Sequence, residues 1–224
     1  MEAPVLSRRD RERLARRQAM LDAALAVFAE KGYEGATLDE VAERAEFGKG
    51  TLYNYFPGGK ESILFALLDE VYDGLVAIIE AYFTDEAEQH RPTRALFRDF
   101  IAALIAYFSE RQAVFMIMVK EAQRLMLDGN TAARIFAQRE RLAETTAAPI
   151  QAAMDRGALR PMDAHGVAHM LMGNVHGYMM YASCPPVDGD HHRKARAFLS
   201  SPEKGADFIA TILFDGLLTE QARA

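Results

Sequence analysis

Hydrophobic residues recur at intervals of three, four or seven positions along most of the chain. The first such series is Leu14, Leu21, Leu25 and Phe28. This spacing places side chains on one face of an α-helix. No run of β-branched and aromatic residues alternates with a period of two, as a half-buried strand would require. The pattern therefore predicts an all-α fold.

Residues that begin and end helices divide the first sixty positions into three helices. Gly32 is expected to end the first helix. Thr37 and Glu40 have the spacing of a capping box, in which each side chain bonds the other's backbone N–H, and this predicts a short second helix. A third helix is predicted from Lys49 to Phe56, ended by Pro57-Gly58-Gly59.

Longer helical segments follow, separated by proline, glycine and asparagine. They are predicted at about 60–83, 93–109, 111–128, 131–156, 163–182 and 203–220. We expect two domains: residues 1–59, a three-helix domain ending in a helix-turn-helix, and residues 60–224, a helical bundle.

The second and third helices have the size and separation of a helix-turn-helix. In the third helix Leu52 and Phe56 share one face, which should be buried, while Gly50 and Asn54 lie on the opposite face. Glycine destabilises a helix by roughly 1 kcal/mol relative to alanine. Its presence here is explained if the helix backbone must approach another surface closely. The major groove of DNA is such a surface.

At these residues the sequence resembles the TetR/AcrR family of bacterial transcriptional regulators. The resemblance rests on Thr37–Ala45 followed by Lys49–Phe56, with Lys60-Glu61 where the family's fourth helix begins. It covers about residues 17–68 strongly. In the last segment, Phe208–Leu217 is similar to the family's terminal dimer-forming helix.

The resemblance implies a homodimer that binds double-stranded operator DNA and responds to a small-molecule effector, most commonly as a repressor. It implies that the DNA-contacting residues are Thr37, Lys49, Gly50, Thr51, Tyr53, Asn54, Tyr55 and Lys60. It also suggests dimer contacts by Phe208, Ile212, Phe214 and Leu217.

The turn between the two short helices departs from the family pattern. Glu46 stands where the family usually has a glycine, and Gly48 replaces a capping serine. A glycine cap costs only a few tenths of a kcal/mol, but the serine hydroxyl is lost. These departures leave open an alternative: a helical ligand-binding or interaction protein whose DNA reader has decayed.

Charge is unevenly distributed along a chain whose formal net charge is −6. Six arginines, all within residues 8–17, give the first twenty positions a net positive charge, and this arm is expected to add phosphate contacts. The longest apolar run is far shorter than a membrane span, and no secretory signal is evident. The single cysteine, Cys184, fits a reducing compartment, so we expect a cytoplasmic protein without membrane association.

The segments after residue 68 are rich in methionine, with nine of the eleven methionines between Met116 and Met180. Flexible methionine and rigid aromatic side chains can line a site for a small apolar or amphipathic effector. Ordinary core packing explains such residues equally well. The candidate pocket residues are Tyr107, Phe108, Phe115, Met118, Glu121, Met172 and Tyr178.

Three histidines, His165, His169 and His176, share one helical face. The first two could share one ion, but His176 lies roughly 10 Å farther along the helix axis. We predict no metal site and no cofactor, and whether these histidines do more than pack is left open. No phosphate-binding loop or nucleophile elbow is present, so an enzyme is not expected.

Overall fold

The computed structural model describes residues 7–84, 90–125, 129–183 and 201–216, and these contain helices and no strands. The helices are α1 Arg8–Gly35, α2 Leu38–Arg44, α3 Lys49–Tyr55, α4 Gly59–Tyr82, α5 Thr93–Glu110, α6 Gln112–Leu125, α7 Gly129–Asp155, α8 Ala164–Ser183 and α9 Pro202–Ala210, followed by a π-helical turn at Thr211–Asp215. The predicted all-α fold is confirmed. No single helix within the described ranges is long and apolar enough to cross a membrane, and only the bent pair Thr93–Glu110 with Gln112–Glu121 reaches that threshold jointly, by length and composition alone.

The chain forms two compact units. One contains the described residues of Met1–Val71 and Ala113–Asp128, and the other contains those of Tyr72–Gln112 and Gly129–Ala224. Helix α4 contributes residues to both. The functional division at residue 59 remains a prediction.

In the first unit, the core begins at Met20 and includes Val27, Phe28, Val41 and Leu52. The α-helical geometry of α1 is interrupted at Gly32, whose φ of 73° is left-handed, so the predicted end of the first helix is a break within the longer element. Leu14 is 52% exposed, although it shares a helical face with the buried Leu21 and Phe28. The reason is that α1 begins about three turns before the core does.

In the second unit, α9 packs mainly against α5, and α7 against α8. Phe97, Phe100 and Leu104 of α5 are fully buried. Two arginines of α5 form ion pairs with α9 and the turn that follows it, Arg98 to Asp207 at 2.7 Å and Arg94 to Asp215 at 2.7 Å.

The end of the last segment differs from its prediction as one helix over 203–220. Regular α-helix stops at Ala210, and the following π-helical turn ends at Gly216, whose φ is 79°. Arg94 also donates a 3.3 Å hydrogen bond to the Thr211 hydroxyl, so one guanidinium contacts both ends of this turn. Residue 217 lies outside the described residues.

Candidate nucleic-acid interface

Helix α2 is fixed at its start by the predicted capping box. The Thr37 hydroxyl accepts from the Glu40 N–H at 3.3 Å, and the Glu40 carboxylate accepts from the Thr37 N–H at 3.0 Å. Lys31 of α1 pairs with the same carboxylate. Its ammonium group, together with the Thr37 bonds, lowers the pKa of Glu40 to about 2. Arg44 adds a 2.6 Å pair with Glu30, so both ends of α2 are tied to α1.

The turn between α2 and α3 is a Schellman motif. The N–H of Phe47 bonds the carbonyl of Ala42 at 3.0 Å, and the N–H of Glu46 bonds that of Glu43 at 3.1 Å. The motif needs a left-handed residue after the helix, and Glu46 adopts it with φ 60°. Among the described residues it is the one non-glycine residue with positive φ.

Helix α3 presents the two faces that its periodicity predicts. Leu52 is 1% exposed and Phe56, the residue that caps its end, is 3% exposed. On the other side Lys49, Gly50 and Asn54 are exposed, and Tyr53 is 42% exposed. A Cβ added at Gly50 would meet no atom within 4 Å. The exposed face is therefore narrow and open to an incoming molecule.

The flanking predicted contacts have different environments. Thr51 and Tyr55 are partly exposed, and Thr37 is exposed but its hydroxyl caps α2. Lys49 donates to Asp39 of α2 at 2.9 Å, and this carboxylate raises the pKa of Lys49. Asp39 therefore orients the first cation of α3, a role that sequence spacing alone did not indicate.

Lys60 has partners that the sequence did not predict. Its ammonium group donates to the carbonyls of Tyr33, Glu34 and Ala36 at 2.8, 3.1 and 2.8 Å. These bonds use its three protons at the end of α1. A phosphate contact by Lys60 would require one of them to break.

The arginine-rich arm is the exposed first part of α1. Arg8 pairs with Glu12 at 2.8 Å, which stabilises the first turn. Arg17 pairs with Glu70 at 3.3 Å and lies 5.5 Å from the centre of the Phe56 ring, so it holds α3 and α4 in place. Arg9, Arg13 and Arg16 are exposed along the helix.

The family-level comparisons agree with this geometry. The model of the family described as bacterial regulatory proteins, tetR family, matches residues 20–67, from the start of the core through α2, α3 and the first part of α4. The chain is 33% identical over 161 residues to the HTH-type transcriptional regulator BetI of Rhizobium meliloti (strain 1021). The aligned region covers 65% of this chain and 79% of that protein. The chain belongs to the TetR family.

Other relatives support the same assignment. The chain is 26% identical over 178 residues to the regulator RutR of Escherichia coli (strain K12), covering 78% of this chain and 79% of that one. A TetR-family regulator from Syntrophomonas wolfei has the same fold, with a TM-score of 0.70 over 93% of this chain and 99% of that one at 21% identity. The protein is accordingly a DNA-binding transcriptional regulator, as predicted, and its relatives are regulators rather than enzymes.

The seven predicted pocket residues have different environments in the described part of the chain, and their role in effector binding stays a prediction. Tyr107 lies against Gly74, stacks on Arg111 at 4.0 Å and contacts Phe108, while Phe115 is buried in the other unit. Tyr178 packs on Gly205 and donates to the Ser201 carbonyl at 3.2 Å, which positions α9. Glu121 and Met172 are partly exposed, and the side chain of Met118 lies outside the described part.

A cavity of about 410 Å³ does occur in the second unit, between the end of α7, the start of α8 and the π-helical turn. Apolar side chains form most of its wall, and Arg160 and Asp163 are its charged residues. The remaining lining residues are Phe97, Ile150, Met154, Ala158, Leu159, Met162, Gly166, Val167, Met170, Leu171, Leu213 and Phe214. Asp163 caps α8 by accepting from the His165 N–H at 3.1 Å. Arg160 is exposed and makes no ion pair with any described residue.

An apolar groove runs along α8 beside α9. Met170, Tyr181 and Phe208 are 63%, 51% and 48% exposed there, and a Cβ added at Gly173 or Gly177 would meet nothing within 4 Å.

Of the predicted dimer residues, Phe208 lines this groove, Ile212 is partly exposed, and the ring centre of Phe214 lies 5.3 Å from that of Phe97. Leu217 lies outside the described residues. The sequence signal for this groove is the 3- and 4-residue spacing of Met170, Gly173, Gly177 and Tyr181, none of which is among the predicted contact residues.

Proposed function

We propose that this protein is a homodimeric repressor whose α3 helices read an operator in two successive major grooves. The observation that carries the proposal is the face of α3: Gly50, Tyr53 and Asn54 are exposed and unobstructed, while Leu52 and Phe56 anchor the helix from behind. A major groove of about 12 Å admits a helix of this kind. Since bacterial operator DNA lies in the cytoplasm, this function requires a cytoplasmic protein.

The exposed side chains divide into base and phosphate contacts. Thr51, Tyr53 and Asn54 offer hydrogen-bond groups and a ring to base edges, with the ring suited to a thymine methyl group. Lys49, Tyr55 and Thr37 flank the helix and are assigned to phosphates, with Asp39 holding Lys49 until DNA arrives. We assign Lys60 to the end of α1 instead of to phosphate.

The arginine arm supplies further phosphate contacts. Arg9, Arg13 and Arg16 lie on the exposed part of α1, which extends about 18 Å before the core begins. Each cation that neutralises a phosphate should add about one to the slope of affinity against salt concentration. A net negative chain can therefore still bind DNA through one basic segment.

A second copy of the chain is the proposed occupant of the α8 groove. Two recognition helices must be about 34 Å apart to enter successive major grooves on one face of DNA, and a two-fold dimer fixes that distance. Gly173 and Gly177 leave the backbone of α8 open to close approach, and Met170, Tyr181 and Phe208 supply apolar contacts around them. Light scattering should give twice the chain mass, and a monomer at micromolar concentration would contradict the dimer.

The cavity beside the π-helical turn is the proposed effector site. Its apolar wall and the exposed Arg160 suit an amphipathic molecule with a hydrocarbon part and an anionic group. Met170 lines both this cavity and the α8 groove, so an occupant can change the dimer face directly. Among solved structures with this fold is AibR in complex with isovaleryl coenzyme A and operator DNA, at 21% identity and a TM-score of 0.62 over 89% of this chain and 98% of that one.

The proposed DNA reading is tested with the Tyr53→Ala variant. Affinity for the DNA upstream of the protein's own gene should fall at least tenfold, because the variant removes a ring and a hydroxyl from the centre of the exposed face. Fluorescence anisotropy at two salt concentrations measures this, and circular dichroism should show unchanged helicity. Phe136→Ala, which removes an exposed aromatic ring from α7, is the matched control.

Two results would overturn the proposed reading. Equal affinity of Tyr53→Ala and the wild-type protein would remove α3 as the reader. Absence of operator binding by the wild-type protein even at low salt would favour the alternative of a decayed reader, for which the strained Glu46 is the structural argument.

A further inference from the structure

Two carboxylates and an imidazole meet across α7 and α8. Glu140 and Glu144 lie one turn apart on α7, and His165 lies in the first turn of α8. One ligand atom from each residue lies within 4.8 Å of the other two. The Nε2 atom of His165 is 3.5 Å from the Oε1 atom of Glu140.

These distances are close to those of a tetrahedral metal site. Bonds of about 2.1 Å at tetrahedral angles place two ligand atoms about 3.4 Å apart. The His165–Glu140 pair already has that separation, and a rotamer adjustment of the exposed Glu144 side chain can close the remaining distance. Both helices are part of the same compact unit and pack against each other, so the backbone need not move.

The charges of the cluster also favour a cation. Two carboxylates four residues apart on a helix repel each other. Within the described residues neither Glu140 nor Glu144 is paired with a lysine or arginine. The neighbouring Arg141 is bound to Asp73 at 2.7 Å. A divalent ion would neutralise both carboxylates and link them to His165.

In contrast to the expectation from the sequence, which was no metal site, we propose that Glu140, Glu144 and His165 bind a divalent transition-metal ion of the Zn²⁺ type, with water as the fourth ligand. The imidazole nitrogen selects against Mg²⁺ and Ca²⁺, which prefer oxygen ligands only, and three protein ligands leave one position open. His169 is not part of this cluster, because the ligand atoms that lie within 4.8 Å of one another come from Glu140, Glu144 and His165. The ion would fasten the first turn of α8 to α7, next to Gly166 and Val167 of the cavity wall.

Zn²⁺ titration of tag-free, full-length protein tests this site. The background is a His191→Ala/His192→Ala variant, so that the histidine pair outside the described residues cannot bind the ion. Isothermal titration calorimetry should show one Zn²⁺ per chain, and Zn²⁺ should raise the thermal midpoint. Substituting Glu140→Gln, Glu144→Gln or His165→Ala should each weaken the affinity at least tenfold.

The matched control is His169→Ala, one turn farther along α8, which should bind Zn²⁺ as the background does. Equal loss in His169→Ala and His165→Ala would place the ion between the two histidines and overturn the proposed site. Unchanged affinity in either glutamine variant, or no saturable binding in the background protein, would also overturn it. Because these readouts do not involve DNA, failure of the operator experiment would not affect the result.

Discussion

At the scale of single residues, Glu46 adopts a backbone conformation that is unfavourable for a residue with a side chain. The Schellman hydrogen bonds require a left-handed conformation at this residue, and Glu46 adopts it at φ 60°. A side chain in that conformation costs roughly 1–2 kcal/mol, which glycine avoids. This strained residue lies in the turn that fixes the orientation of α3 relative to α2, so it affects the position of the proposed recognition helix.

The substitution Glu46→Gly should stabilise the protein. We expect the free energy of unfolding to rise by about 1 kcal/mol, because relief of left-handed strain exceeds the extra chain entropy of glycine. Urea denaturation monitored by circular dichroism measures the change. The control is Glu43→Gly, which puts glycine inside α2 at an exposed helical position and should destabilise by about 1 kcal/mol. A loss of stability in Glu46→Gly would refute the strain.

At the scale of elements, α2 is stabilised by ion pairs and capping hydrogen bonds in addition to packing. It has only seven residues, too few to be stable alone, and its first turn depends on the capping box and on Lys31. Because Glu40 has a pKa of about 2 in the folded protein against 4.5 as the ordinary value, the folded state binds its proton less readily than the unfolded chain. Its contribution to stability is therefore fully present above pH 4.5 and is lost as the pH falls from 4.5 towards 2.

The variant Glu40→Gln isolates this charge, because glutamine can still complete a capping box. The wild-type protein should be the more stable of the two at pH 6, and the difference should shrink as the pH falls below 4.5. Thermal midpoints recorded from pH 6 to pH 2.5 measure it, with Glu43→Gln on the same helix as the control. A difference that stays constant across this range would show that the ionised carboxylate is not responsible.

At the scale of the whole molecule, the second unit joins the proposed effector site to the proposed dimer face. The cavity wall and the α8 groove share Met170, and Arg94 fixes the π-helical turn that carries Leu213 and Phe214 into the cavity. A ligand can weaken operator binding only by as much as it prefers the state that does not bind DNA. An occupant that displaces Phe214 or Met170 provides such a preference.

The variant Arg160→Gln tests the anionic end of the effector, with decanoate as the probe. Decanoate should release the wild-type protein from operator DNA, and its potency should fall about tenfold in the variant, since a charge-assisted hydrogen bond is lost. Operator affinity without decanoate should not change. Fluorescence anisotropy measures the potency of decanoate and the operator affinity without it, with Arg156→Gln as the control. An anion-binding role for Arg160 would be contradicted if decanoate were equally potent on Arg160→Gln and Arg156→Gln. It would also be contradicted if decanol were as potent as decanoate on the wild-type protein.

The sequence by itself determined the features that depend on local spacing and local chemistry. Helical periodicity, the Thr37–Glu40 capping box and the buried Leu52 and Phe56 all follow from residues close together in the chain, where backbone geometry fixes which side chains meet. The family resemblance came from the same stretch.

Only the tertiary structure decided the partners that come from distant positions. Lys60 meets carbonyls 24 to 27 residues away, Arg94 meets Asp215 across 121 residues, and Glu140 meets His165 from another helix. Such pairs depend on how helices pack and how each is rotated about its axis, and a single sequence does not encode that rotation in any local pattern. For the same reason the cavity wall and the open face of α8 emerged from the packed helices rather than from the spacing of methionines.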